Sequence, residues 1–137
     1  MAFTIGKRPQ TICEALNLVN SGSLEFGEAI AEFTDEAMKM PPESLTNALS
    51  QEPPFIDSKN HDYEQWQDAY AGAVAEHLAR SLGAGIPEWT DRPERFLARA
   101  WFDNHGLKSL NAMMVAQSPM AFRRRFIFTE AKPLRRA

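Results

Sequence analysis

Along most of the chain, apolar residues recur at the three- and four-residue spacing of α-helices. In residues 23–39, Phe26, Ile30, Phe33 and Ala37 fall on one side of such a helix, and acidic residues occupy many of the positions between them. This pattern predicts an amphipathic helix, capped by a serine at its first position, that buries its apolar side.

Capping residues, glycines and prolines divide the chain into further helices. Thr11 and Glu14 have the spacing of a capping box, and Gly83 fits the residue that follows the end of a long helix. Residues 91–94 combine an aspartate, a proline and a glutamate in the order that starts a helix. The predicted helices cover residues 11–20, 23–39, 43–49, 61–82, 91–101, 107–116 and 118–125.

Little of the sequence favours β-structure. Only residues 126–129 have a strand-like composition, and this segment is very short. The strongest predicted helix, 61–82, carries Trp66 and Tyr70 at its aromatic end, and we expect both rings to lie in the core. We therefore predict an all-α fold, a compact bundle of six to eight helices that forms a single domain over residues 1–137.

The composition agrees with one soluble globular domain. The chain has 137 residues, of which 44% are hydrophobic and 24% charged, and this balance argues against intrinsic disorder. No apolar run is long enough to cross a membrane, and the first residues do not resemble a signal peptide. The single cysteine, Cys13, cannot form an internal disulfide, so a cytoplasmic location is the simplest expectation.

Charge divides the chain into an acidic and a basic part. Residues 1–91 contain 5 Lys or Arg and 15 Asp or Glu, a net charge of −10, whereas residues 92–137 contain 10 and 3, a net charge of +7. The favoured interpretation is that the two parts pack together and neutralise each other. The alternative is a basic face for an acidic partner or for nucleic acid.

No catalytic or metal-binding pattern is found in the sequence. His61, His77 and His105 are far apart, and none belongs to a known zinc-binding spacing. Cys13 has no basic neighbour close in sequence that would activate its thiol. We therefore predict no metal, no cofactor and no enzymatic activity.

Two groups of residues are candidates for partner binding. Arg123, Arg124 and Arg125 are consecutive, so on a helix they spread over about 200° and cannot all face one surface. At least one should fold back onto the acidic helices, and the others could contact a protein or phosphates. Large aromatic residues next to turns are either core side chains or anchors for a partner. These are Trp89, Trp101 and Phe102.

The C-terminal part of the chain resembles a group of bacterial proteins of unclear function. The most specific string runs from Ser118 to Phe128 and reads Ser-Pro-x-x-Phe-Arg-Arg-Arg-x-Ile-Phe. It is preceded by Ile-Pro-Glu-Trp at 86–89 and by Leu-Lys-Ser-Leu-Asn-Ala at 107–112. In many members this module follows an Xre-type helix-turn-helix, and no pattern in the present sequence predicts one.

The resemblance implies an antitoxin-like or regulatory protein that works beside a nucleotidyltransferase-like protein. The first hypothesis is accordingly a protein-interaction module that occludes the site of a separately encoded bacterial enzyme. The alternative is a nucleic-acid-associated regulator that uses Arg123–Arg125. The resemblance implies no catalytic residues.

Overall fold

The computed structural model describes residues 8–57, 59 and 64–134, and 56% of these residues are helical. The described residues form six α-helices: α1 (Ile12–Asn20), α2 (Phe26–Ala37), α3 (Pro42–Ser50), α4 (Trp66–Leu82), α5 (Asn111–Gln117) and α6 (Met120–Arg123). Short 3-10 turns cover Glu88–Asp91, Pro93–Arg95 and Lys108–Leu110. The predicted all-α fold is confirmed, with one compact domain and a helix count at the low end of the expected range.

The first helices begin at residues whose side chains satisfy free backbone N–H groups. The Thr11 hydroxyl accepts from the backbone N–H of Glu14 at 2.9 Å, so Thr11 caps α1 as predicted. The Glu14 carboxylate accepts from the Gln10 N–H at 2.7 Å instead of from Thr11, so only half of the predicted capping box is formed. Ser23 does not cap α2, because Glu25 and Glu28 form a capping box two residues later. Helix α2 buries the apolar side predicted for it, including Phe33, and α1 buries Ile12.

Helix α4 is the centre of the domain. It contacts α2, α3, α6, the two 3-10 turns that follow it and the second strand. Because neighbours surround it, its buried residues occupy nearly its whole circumference, and many are alanine or glycine. Gly83 ends the helix at φ 74, the left-handed conformation predicted for it. Residues 61–63 of the predicted helix lie outside the described part of the chain.

The helix predicted for residues 91–101 is wrong. Two 3-10 turns, the second opened by Pro93, replace its start, and Phe96 is extended at φ −128 and ψ 144. The backbone then runs beside the C-terminal segment, where the Leu97 N–H donates to the Arg125 carbonyl at 3.3 Å. The helix-start residues at 91–94 therefore do not begin a helix, because the backbone that follows them bonds to the distant C-terminal segment instead.

Two very short strands form the only sheet among the described residues. β1 (Trp101–Phe102) pairs in parallel with β2 (Ile127–Phe128), with Trp101 opposite Ile127 and Phe102 opposite Phe128. The N–H groups of Trp101 and Asp103 donate to the carbonyls of Phe126 and Phe128 at 2.8 and 2.9 Å. This pairing joins residues 101–102 to residues 127–128 within the basic C-terminal part of the chain.

Candidate interaction surface

The small residues of α4 make room for two buried arginines. A Cβ added to Gly72 would lie 3.1 Å from both Arg125 Nε and Arg95 Cβ. Both arginine side chains are 0% exposed, and they are the two largest fully buried side chains in the domain. The absence of a side chain at position 72 therefore permits the close packing of the basic C-terminal part on α4.

Arg125 is held by a buried carboxylate and by backbone carbonyls. Its Nη1 donates to Glu76 Oε1 at 2.6 Å and to the Ala121 carbonyl at 2.7 Å, while Nη2 donates to the Thr90 carbonyl at 2.6 Å. The guanidinium carbon lies 4.7 Å from the centre of the Phe96 ring. Arg125 thus connects α4, α6 and the first 3-10 turn.

Glu76 is the acidic centre of the network, with a side chain only 1% exposed. Besides Arg125, it accepts from Arg124 Nη1 at 3.0 Å and from Arg80 Nε at 2.8 Å. Burial alone would raise its pKa, but the hydrogen bonds from Arg125 and Arg80 and the nearby positive charges outweigh burial and lower it. Glu76 is therefore ionised at neutral pH despite its burial.

Arg95 is buried in a second pocket on the same helix. It donates to Glu52 Oε2 at 3.1 Å and to the Pro53 carbonyl at 2.7 Å, both through Nη2. Its guanidinium carbon lies 4.1 Å from the centre of the Phe55 ring. Burial lowers the pKa of Arg95, and the hydrogen bond and charge of Glu52 oppose that effect. The pairing with a half-exposed carboxylate gives this buried charge a counter-ion.

The ion pairs confirm that the acidic and basic parts of the chain neutralise each other in the fold. Arg92, Arg95, Arg124 and Arg125 all belong to the basic part, and each one pairs with a carboxylate of the acidic part. The carboxylates are Glu52, Glu76 and Asp91. The predicted return of at least one residue of the arginine triplet to the acidic helices is also confirmed.

The three consecutive arginines have three different environments. Arg125 is fully buried, and Arg124 is 36% exposed and bridges Glu76 and Asp91, each at 3.0 Å. Arg123 is exposed and donates only to the Ala116 and Ser118 carbonyls among the described residues. Arg125 is therefore not available to a partner, because three hydrogen bonds hold it in the interior, and only Arg123 presents a free charged end.

The aromatic candidates also separate by environment. Trp89 is buried, and its Nε1 donates to the Leu49 carbonyl at 2.8 Å, so it is a core side chain rather than a surface anchor. Trp101 is half-buried and stacks on Trp66 with ring centres 4.2 Å apart. Phe102 is half-buried and stacks on Phe128 at 4.9 Å. The structure therefore does not place the six candidate residues on one surface.

Exposed apolar residues concentrate elsewhere, in the segment from 107 to 126. Five of the eight large hydrophobic residues that are exposed lie in this segment, and we call them the 107–126 surface. They are Leu107, Met113, Val115, Met120 and Phe126. Helix α5 buries only Met114 among its seven residues. Most of α5 is therefore apolar and faces solvent, which a soluble domain rarely maintains without a use.

Phe126 combines exposure with an unusual backbone. It is 48% exposed and has φ 63, in the left-handed region that disfavours a residue with a side chain. Its N–H donates to the Arg123 carbonyl, and its own carbonyl accepts from Trp101. Backbone bonding on both sides thus holds an exposed aromatic ring in a costly conformation next to Arg123.

Sequence reasoning missed both the buried arginine Arg95 and the 107–126 surface. A signal for the first was present in α4, where small residues surround Glu76 on one side of the helix. Their side chains are too short to fill the space between α4 and the neighbouring segments. These residues are Ala69, Gly72, Ala73 and Ala79. A signal for the second was the sequence of α5, which contains no charged residue that could mark a solvated side. Neither signal identifies the distant residue that packs against the helix concerned.

Comparison with known proteins gives no relative. The chain matches no family model, no curated protein and no solved structure. Within the described ranges, no helix has the length and apolar character needed to cross a membrane. The same residues contain no group of three or more His, Cys, Asp or Glu side chains placed to hold a metal ion. The functional argument therefore depends on the surface itself.

Proposed function

We propose that the protein is an interaction module that binds a partner protein through the 107–126 surface. The observation that carries the proposal is α5, a helix that buries only Met114 and leaves Met113 and Val115 exposed on either side of it. Methionine-rich apolar surfaces adapt to a protein partner, because the unbranched thioether side chain repacks easily. The rigid, exposed ring of Phe126 would supply an anchor of the kind that dominates binding energy.

The charges around the surface favour a partner with an acidic patch. Arg99, Lys108 and Arg123 are exposed, and no carboxylate among the described residues pairs with them. In contrast, the buried and half-buried arginines of the basic part are neutralised internally. Lys108 and Arg123 thus lie in the same segment as the exposed apolar residues, and Arg99 precedes that segment. Such a surface would attract an acidic partner and then bury apolar area against it.

The resemblance described above makes a separately encoded nucleotidyltransferase-like bacterial protein the first partner to test. Binding would act by occlusion, with the 107–126 surface covering the partner's active site. The chain itself needs no catalytic residue for this role. The nucleic-acid alternative is weaker, because Arg124 and Arg125 are engaged by Glu76 and leave Arg123 as the only free member of the triplet.

The test is co-expression with a nucleotidyltransferase-like bacterial protein, followed by size-exclusion chromatography and measurement of the partner's activity. We expect a stable complex and inhibition, and we expect M113E or M120E to weaken binding at least about tenfold. M38E is the matched control, since Met38 is 61% exposed but lies outside the surface, and this variant should bind normally. Wild-type binding by both test variants would contradict the proposed surface.

A second measurement separates protein binding from nucleic-acid binding. Duplex DNA and single-stranded RNA are titrated at low salt against the wild-type protein and R123Q. Binding through Arg123 alone would release few counterions and give a shallow salt dependence. Tight nucleic-acid binding that R123Q abolishes, without any effect of M113E, would replace the proposal with the alternative.

A further inference from the structure

An aromatic cavity lies on another side of the domain, between α2, α4 and β1. Its volume is about 280 Å³, and its walls include the side chains of Phe26, Trp66, Tyr70 and Trp101. Pockets for drug-sized ligands have volumes of about 300–1,000 Å³, so this cavity suits a small group. The cavity shares no residue with the 107–126 surface, and the inference below does not depend on the proposed function.

The four rings form walls that face in different directions. Tyr70 stands at 78° to Trp66 and at 88° to Trp101, while Phe26 stands at 89° to Trp66. The two indoles are parallel, which fixes each of them against the other. Each indole covers one face of the other, so the electron-rich ring faces left uncovered in the wall are the ones that could hold an organic cation.

A carboxylate without a strong counter-ion completes the cavity wall. The side chain of Asp103 is 34% exposed, and its one ion-pair partner among the described residues is His105 Nε2 at 3.5 Å. His105 is itself 85% exposed and is charged only when protonated. Burial raises the pKa of Asp103, His105 opposes this effect, and the nearby charge of Glu130 adds to it. A bound cation would therefore relieve the cost of keeping this carboxylate ionised.

The opposite wall holds a polar atom without a partner. Thr34 lies on α2, is 3% exposed and lines the cavity, and its hydroxyl has no hydrogen-bond partner among the described residues. Buried hydroxyls normally find a partner, because an unmet hydrogen bond costs about 1–3 kcal/mol. A ligand in the cavity with a polar substituent would satisfy this group.

We propose that the cavity binds an alkylammonium group, with aromatic rings of the wall against the cation and Asp103 as its counter-ion. An anionic group is disfavoured, since Asp103 lines the wall and Glu130 is close enough to raise the pKa of Asp103 further. A neutral apolar group would leave the Asp103 charge uncompensated and Thr34 unbonded. Choline fits both requirements, because it joins a quaternary ammonium group to a hydroxyl.

The first experiment follows the three tryptophan indole N–H signals by NMR during titration with choline, with tetramethylammonium and with 3,3-dimethyl-1-butanol. The last compound has the shape of choline but no charge. We expect saturable shifts of the Trp66 and Trp101 signals with the two cations and none with the neutral alcohol. Trp89 is an internal control, because it is buried outside the cavity and should not respond.

The second experiment measures the contribution of the carboxylate. D103N keeps the shape of the side chain and should weaken binding of tetramethylammonium about tenfold, the effect expected for losing one nearby charge. E94Q removes an exposed carboxylate outside the cavity and should bind like the wild type. The unchanged indole signals of Trp89 would show that D103N is folded.

Two results would overturn the proposal. One is the absence of a saturable response to tetramethylammonium, and the other is equal binding of choline and its neutral analogue. The source of the cation is distinguished by comparing choline with a peptide that carries trimethyllysine and with the unmodified peptide. Tighter binding of either cation supports the site and identifies whether a free molecule or a protein side chain supplies the group.

Discussion

Replacing Arg125 by methionine should destabilise the protein far more than the same change at its neighbour Arg123. Arg125 is fully buried and makes hydrogen bonds to Glu76, to the Thr90 carbonyl and to the Ala121 carbonyl. Methionine fills much of the volume but cannot donate to any of these acceptors. R125M therefore leaves a buried carboxylate with a weaker counter-charge and leaves two buried carbonyls unbonded.

The loss of stability in R125M depends on the cations that remain beside Glu76. Arg80 and Arg124 still reach Glu76, so the carboxylate is not isolated. Removing one partner of a buried ion pair costs about 3–5 kcal/mol, and we expect R125M to fall in this range. R123M should change the free energy of unfolding by less than about 0.5 kcal/mol, since Arg123 is exposed and donates to backbone carbonyls alone.

Urea unfolding monitored by circular dichroism measures both values. The slope of the free energy against urea concentration should not change, since the surface exposed on unfolding is nearly the same. If R125M is too unstable to purify, the double variant E76M/R125M keeps the argument testable. Removing both side chains should restore part of the lost stability, because no buried carboxylate is then left short of the hydrogen bond that Arg125 donated. Equal stability of R125M and R123M would refute the reasoning.

Two further predictions concern the same network. G72A should destabilise the domain by about 1–3 kcal/mol, because the new Cβ meets Arg95 Cβ and Arg125 Nε at 3.1 Å. The control G27A has open space around its new Cβ and should stabilise α2 by about 0.5–1 kcal/mol. Urea unfolding of both variants measures these values, and equal effects would contradict the packing described for Gly72. The lowered pKa of Glu76 contributes stability that is present above its ordinary value of 4.5 and is lost as the pH falls through the folded-state value. The stability difference between wild type and E76Q should therefore shrink as the pH falls below about 4.5, and a difference that grew instead would show that Glu76 is not held ionised.

The parts of the fold that depend on neighbouring residues could be predicted from the sequence. The threonine that caps α1 and the glycine that ends α4 act locally, so the residue types identify them directly. The segment 91–101 was predicted incorrectly because its backbone bonds to residues 125 and 126, which follow Leu97 and Trp101 by 28 and 25 positions. Strands of two residues leave no periodic pattern from which such a pairing could be recognised.

Even less of the candidate site could be predicted from the sequence. The charge division correctly indicated that basic and acidic parts meet, yet it did not say which arginine is buried. That outcome is decided by Gly72, whose missing side chain leaves room for Arg125 while Arg123 turns outward. Exposure of α5 was equally hidden, since an apolar helix has the same sequence signature whether it is buried or waits for a partner.

The pairing of Glu76 with Arg125 also has a consequence for synthesis of the chain. The two residues are 49 positions apart, so at about 5–20 residues per second a ribosome adds Arg125 roughly 2–10 seconds after Glu76. During that interval Arg80, one turn along α4, is the nearest cation for the glutamate. The small-residue side of α4 stays uncovered until the last helix emerges, and the central helix of the domain is therefore among the last to reach its final environment.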